Sequence, residues 1–184
     1  KPSKSILSVS PVHDCSLGDL ADNLYRFKNA IESDEHLPVI RNDFEYKLFV
    51  SFVDYLSEDG YKFNFAADQR GSFEEIYKSK KHGQISINKS FPHITKGGHY
   101  HTYKNEIFMT VKGECITRQR EVNGGKEILE FVQHGKDSTK VDIIPGYTHD
   151  ITNVGDEESI TLMWISEVYD DKTADTFRED VDLK

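Results

Sequence analysis

From Tyr61 onward the chain is written in short stretches whose apolar residues recur at every second position, each closed by turn residues. Gln84–Asn88, Glu106–Lys112, Glu114–Glu121, Glu127–Val132, Val141–Ile144 and Ser159–Ile165 show it most clearly. Side chains alternate between the two faces of a strand, so a period of two predicts half-buried β-strands. Lys112-Gly113 and Asn123-Gly124-Gly125 supply tight turns between them. Many short strands at such spacing predict a sandwich or barrel with antiparallel neighbours, and neither an internal repeat nor a low-complexity linker interrupts them.

The segment before residue 60 has a different period. Ser16 stands three positions before Asp19, a variant of the helix-opening capping box, and Leu17, Leu20, Leu24, Phe27 and Ile31 follow at spacings of three and four. A second helix is predicted from Asn42-Asp43, with Phe44, Leu48, Phe52 and Leu56 on one stripe and a stop near Asp59-Gly60. Such stripes cover a core or a neighbouring domain, and no chemistry is assigned to them. The expected organisation is a helical linker segment over 1–60 and a β domain over 61–184.

Composition restricts the partners. With 184 residues, 36% of them hydrophobic, the chain can bury one good core with a small appendage. A net charge of -9 with no dense Lys/Arg stripe disfavours nucleic acid and anionic lipid surfaces. Cys15 and Cys115 lie far apart and read as thiols of a reducing compartment. No apolar run is long enough to span a bilayer, and the opening KPSKS lacks the apolar core of a signal peptide, so a cytoplasmic location is expected. The first residue is not methionine, which reads as a piece of a longer chain.

The stretch GGHYHTYKNEIFMTVKG, residues 97–113, carries the chemistry. His99 and His101 are two apart and share one face of a strand, Glu106 follows at the start of the next apolar strand, and His149 comes later, just after a Pro-Gly turn. Three imidazoles and a carboxylate suit zinc, iron, manganese, nickel or copper, with geometry deciding among them.

His99-x-His101-x4-Glu106-x6-Gly113, followed by Pro145-Gly146-x2-His149-x3-Asn153, resembles the two signature motifs of the cupin superfamily over about residues 90–153. Two turn positions depart from it. The usual glycine six residues before the first histidine is His93, and the usual proline two before Gly146 is Ile144, with Pro145 beside it. The resemblance implies a mainly β fold, a double-stranded β-helix or jelly-roll barrel behind a short two-helix segment, with His99, His101, Glu106 and His149 as metal ligands.

Asp68-x-Arg70-Gly71-x-Phe73-x-Glu75, with Gln84-x-Ser86 and Thr95-Lys96-Gly97-Gly98-His99, is similar to the front of the dTDP-4-dehydrorhamnose 3,5-epimerases. Carried over, Arg70 meets a diphosphate, Phe73 packs on base or sugar and Glu75 contacts the nucleotide. A planar guanidinium matches phosphate oxygens, as that role requires. Where those epimerases place a tyrosine acid, this chain has LMWIS around Trp164.

RGSFEEIYKS, GQISINKS, KGGHYHTYKNEIFMTVKGE, VDIIPGYTHDITNVG and ITLMWISEVYD together resemble the cupin half of the bifunctional capsular polysaccharide assembling enzymes of UDP-N-acetyl-L-fucosamine synthesis. That resemblance implies zinc, a UDP-linked 4-keto-6-deoxy sugar and epimerisation beside its carbonyl. It also implies NADPH if a reductase domain precedes this chain, since no Gly-x-Gly-x-x-Gly follows a strand here. The base that removes the carbon-3 proton is unassigned among His93, Lys96, Tyr103 and Lys104. The similar epimerases and the open sheet edges make a homodimer the expected assembly. Two alternatives stand beside this reading: a non-catalytic sugar-binding or regulatory cupin, and another metal-dependent cupin enzyme acting on a small molecule.

Overall fold

The computed structural model describes residues 10–33, 37–56, 64–79, 81–170, 172 and 174–183. It divides into two compact units, the first ending at Gly60 and the second beginning at Tyr61.

In the first unit, α1 (Leu17–Glu32) opens on Ser16, whose hydroxyl accepts from the Asp19 N–H and donates to the Asp19 carboxylate. Helix α2 (Asp43–Asp54) opens on Asn42, whose side chain accepts from the Glu45 N–H. Phe27 is fully buried, edge-on to Phe49 at 5.2 Å and tilted against Phe52 at 6.0 Å. Beside it the buried Glu45 carboxylate pairs with Arg26 at 2.8 Å and with Arg41 at 3.4 Å. Helix α2 ends at Asp54, before the expected stop, which lies outside the described residues. Leu17 heads the predicted apolar stripe and is nevertheless exposed.

The second unit contains eleven strands among the described residues: β1 (Asn64–Asp68), β2 (Gly71–Ser79), β3 (Gly83–Ser90), β4 (Thr95–Tyr100), β5 (Glu106–Lys112), β6 (Glu114–Glu121), β7 (Leu129–His134), β8 (Lys140–Ile143), β9 (Tyr147–Asn153), β10 (Ser159–Ile165) and β11 (Phe177–Arg178). They form two antiparallel sheets, in the orders β1-β2-β3-β10-β5-β8 and β11-β4-β9-β6-β7. After the β1-β2-β3 meander the chain passes from one sheet to the other at each strand except the β6–β7 hairpin, the arrangement of a cupin's double-stranded β-helix. Phe108, Cys115, Val141, Ile143, Ile151 and Met163 form the core between the sheets, with Phe73 and Phe131 packed against it. Both cysteines are free thiols, Cys15 exposed and Cys115 buried.

The predicted strands Glu106–Lys112, Glu114–Glu121 and Ser159–Ile165 occur with those bounds. The stretch predicted at Glu127–Val132 becomes β7, two residues later, because the turn holding Gly124 and Gly125 uses more chain before Leu129 reaches Gln119. Strands β1, β2, β4, β9 and β11 have no apolar alternation to announce them. Much of the inward face of β3, β4 and β9 is polar, since Gln84, Asn88, His99 and His149 look into a cavity.

Candidate metal centre and its cavity

The site begins with a close approach of backbones. Strand β4 pairs with β9 so that His99 lies opposite His149, and a register shift falls between Gly97 and His99. At Gly97 φ is +116°, and a Cβ there would stand 2.7 Å from both the Asp150 Cα and the His149 carbonyl oxygen. Only glycine lets the two histidine-bearing strands come this near. Strand β4 ends at Tyr100, so His101 opens the loop that follows instead of sharing the strand with His99 as the spacing predicts. Its ring is brought back by other means. The His101 carbonyl accepts from the Gly146 N–H at 2.6 Å, tying the first histidine pair to the Pro145-Gly146 turn.

His99, His101, Glu106 and His149 converge, and their ligand atoms all lie within 4.8 Å of one another. The two sheets contribute separately: Glu106 starts β5 in one, while His99 and His149 belong to the other. His101 and His149 are 1% exposed and Glu106 is 5%. His101 Nε2 stands 3.3 Å from one Glu106 oxygen and His149 Nε2 stands 3.2 Å from the other. Neither contact is aligned for N–H donation, and both buried Nε2 atoms lack a hydrogen-bond partner. On the opposite ring edges, Nδ1 of His101 meets the Asp175 carbonyl and Nδ1 of His149 lies 3.5 Å from the Tyr147 carbonyl. A carbonyl beside Nδ1 keeps the proton there, so the Nε2 lone pairs face inward. Two inward lone pairs with no donor to meet them, a third imidazole and a carboxylate suit a divalent cation.

Electrostatics agree with that preparation. Burial first, and the neighbouring His149 second, push His99 down to about 3, so its ring is neutral at neutral pH.

The cluster forms the floor of a cavity of about 440 Å³. Apolar walls come from Phe73, Phe108, Ile151, Met163 and Ile165, and polar groups from Glu75, Gln84, Asn88, Lys96 and Lys104. The Glu75 carboxylate is fixed from below by the buried Lys78 ammonium at 2.6 Å and by Gln84 Nε2 at 3.2 Å. Lys104 is buried, 3.8 Å from Glu106 and 3.3 Å from the Thr176 hydroxyl. Lys96 Nζ donates to Asn88 Oδ1 and to the Lys89 carbonyl, each at 2.8 Å, and burial lowers its proton affinity. Arg70 sits outside the cavity, in an adjoining pocket that Phe73, Lys96 and His99 also line.

Two residues named from the sequence do not line the cavity. Tyr103 points to solvent, where Glu167 raises its hydroxyl pKa. His93 lies on an exposed turn and meets Asp156 at 3.3 Å. Its φ of 60° shows why cupins place glycine there: the turn is left-handed, and histidine occupies it with strain.

One residue of the site has no sequence signal. Asp175 is buried and comes from the segment after β10. Its carboxylate accepts from the N–H groups of Thr102, Tyr103 and Lys104 at 2.9–3.0 Å and from the Thr102 hydroxyl at 2.7 Å. Burial opposes its charge, but these donors hold its pKa well below the usual carboxylate range. Asp175 therefore fixes both the loop joining His101 to Glu106 and, through its carbonyl, the His101 ring. A partner more than seventy residues from the motif leaves no spacing to read.

Residues 66–177 match the family model described as the polysaccharide biosynthesis C-terminal domain. A relative in Pseudomonas aeruginosa, UDP-2-acetamido-2,6-beta-L-arabino-hexul-4-ose reductase, is 34% identical over 175 residues, covering 93% of this chain and 46% of the relative. The crystal structure of the capsular polysaccharide assembling protein CapF from Staphylococcus aureus is similar with a TM-score of 0.88 and 39% identity, over 98% of this chain and 50% of that one. A structure of CapF with the inhibitor 3-isopropenyl-tropolone is similar with a TM-score of 0.87 over 52% of its length. The chain thus spans about half the length of these relatives. By the extent of the family match and the identity to its relative, the chain belongs to the polysaccharide biosynthesis C-terminal domain family.

Proposed function

We propose that this domain is a metal-dependent epimerase acting on a UDP-linked 4-keto-6-deoxy sugar for capsular or surface polysaccharide synthesis. The observation that carries the proposal is the pair of buried, unpartnered Nε2 atoms facing Glu106 at the floor of a sugar-sized cavity. The relatives support the substrate class: one is named for a UDP-linked hexul-4-ose, a sugar with a ketone at carbon 4, and the other for capsular polysaccharide assembly. The tropolone inhibitor of CapF has adjacent oxygens, a chelating pair.

His99, His101, Glu106 and His149 would hold the ion, with zinc the first expectation for three imidazoles and one carboxylate. When bound, a divalent ion supplies Lewis acidity to a ketone oxygen, worth several kcal/mol where charge develops. The chain's own residues do the rest. A ketone at carbon 4 acidifies the carbon-3 proton; a side chain on one face of the sugar removes it, and a proton delivered from a second donor on the opposite face inverts the centre. Of the four candidates only Lys96 and Lys104 line the cavity. The Lys96 ammonium is committed to two carbonyl oxygens at 2.8 Å, whereas Lys104 has a single hydrogen bond, at 3.3 Å, and is the group we place at the carbon-3 proton. Phe73, Phe108, Ile151 and Met163 line the cavity with apolar surface around the reacting carbon.

Edge strand β1, with Phe65 exposed, supports pairing of two copies. Among the described residues no helix is long and apolar enough to cross a membrane.

The test is solvent exchange. A UDP-4-keto-6-deoxy-N-acetylhexosamine incubated with the protein in deuterium oxide should gain deuterium at carbon 3, read by NMR. Lys104→Met should stop that gain while leaving metal content unchanged. Binding of the sugar without exchange would replace the epimerase with a binding module.

A further inference from the structure

The pocket adjoining the cavity has a volume of about 290 Å³, and its rim includes Asp68, Arg70, Lys96 and Arg178. Arg70 is already matched. Its Nε and Nη2 donate to Asp68 Oδ2 at 2.9 and 2.6 Å, and its backbone N–H donates to Asp68 Oδ1 at 2.8 Å. An anion reaching Arg70 must compete with a carboxylate that already occupies one edge of the guanidinium fork.

Arg178 is in the opposite condition. Its one hydrogen bond runs from Nη1 to the Gly97 carbonyl at 3.1 Å, and among the described residues it pairs with no carboxylate. Its acidic neighbours in sequence are engaged: Glu179 meets Arg120 at 2.9 Å, Asp182 meets Arg118 at 2.9 Å, and Asp180 also has an interaction of its own. The backbone of Arg178 is held at the site. It lies opposite His99 in the pairing of β11 with β4, Phe177 stacks on Tyr100 at 5.2 Å, and the Glu179 N–H donates to the Gly98 carbonyl at 3.1 Å.

We infer that Arg178, and not Arg70, is the main anchor for the diphosphate of a nucleotide-linked substrate. The inference rests on the UDP-sugar reading above. Three cations and one carboxylate line the pocket, which leaves two positive charges, Arg178 and Lys96, in a chain whose net charge is -9. A diphosphate diester carries two negative charges at neutral pH, so the counts match. Nε and Nη2 of Arg178 have no partner to release before they donate to a phosphate oxygen, and their planar fork suits bidentate contact. The metal ligand His99 lies on the same wall, so a sugar extending from that diphosphate enters the cavity toward the floor.

The test is calorimetric titration of UDP, and of uridine as the phosphate-free probe, into the full chain. Arg178→Gln removes the charge but retains an amide donor for the Gly97 carbonyl. It should weaken UDP about 10- to 100-fold while leaving uridine binding unchanged. Arg178→Lys should recover part of the loss, because an ammonium lacks the fork. Arg70→Gln should weaken UDP by less than Arg178→Gln, and metal content should stay that of the wild type throughout. UDP affinity unchanged in Arg178→Gln, a larger loss in Arg70→Gln, or no UDP binding by the wild type overturns the assignment. Carbon-3 exchange in the wild type keeps the two readings apart: exchange without a role for Arg178 sinks only this inference, and UDP held by Arg178 without exchange sinks only the epimerase.

Discussion

At the floor of the cavity His101, Glu106 and His149 are at most 5% exposed, while at the mouth Arg70 and Asp68 face water and pair with each other. The floor is dry, and its imidazoles present lone pairs with no donor to meet them. The mouth is wet, and its charges are partly cancelled before any ligand arrives. Where water is excluded a missing partner costs the full desolvation of what remains, whereas at an exposed site solvent and salt make up most of the loss. Damage to the floor should therefore change what the protein can hold. Damage to the mouth should change only how tightly it holds it.

The largest effect is expected at Glu106. Glu106→Gln keeps the shape but removes the charge that faces His101 and His149, and metal affinity, measured by competition with a chelating dye, should fall by more than the about 10- to 100-fold typical of losing an outer partner. Retention of wild-type affinity would mean that the four groups do not act as one donor set. The next effect should come from Asp175, which sharpens the comparison because it belongs to the floor without being a ligand. Asp175→Ala frees the Thr102–Lys104 loop, and we expect about a 10- to 100-fold loss of metal affinity with native secondary structure by circular dichroism. Asp175→Asn, which keeps one acceptor oxygen, should lose less.

The smallest effect is on stability against pH in the metal-free protein. His99 takes up its proton near 3 in the fold, whereas an unfolded chain takes it up near 6.5. Between those values the unfolded state binds more protons. His99 thus contributes stability that is fully present above about pH 6.5 and is lost as the pH falls toward 3. Thermal melts with chelator present should show that slope, and His99→Gln should flatten it. Arg70→Met at the mouth should leave it unchanged, and an equal change in both variants would break the contrast between the two regions.

The same two regions differ in how far they could be read. The candidate donor set of the floor is local in sequence: one residue separates His99 from His101, four separate His101 from Glu106, and His149 follows its own Pro-Gly turn. Strands with one apolar face, β5, β6 and β10, were equally legible, because burial against the core imposes the period of two. Strands β4 and β9 escaped that reading, since what they present to the cavity is mostly polar or glycine: Lys96, Gly97 and His99 from β4, and His149 beside Ile151 from β9. At the mouth the sequence offers Arg70 only through a resemblance, and the fold adds that Asp68 pairs with it.

By itself, then, the sequence determined the β class, the two leading helices and the identity of four converging groups, because each of those follows from short-range periodicity or motif spacing. Only the tertiary structure decided which groups act together at long range. It set Asp175 beneath the His101–Glu106 loop, brought Arg178 beside His99 and left His93 and Tyr103 off the cavity lining. The physical reason is that pairing between β11 and β4 and the capture of three N–H groups by one buried carboxylate are contacts between segments more than seventy residues apart, and spacing along the chain carries no trace of them.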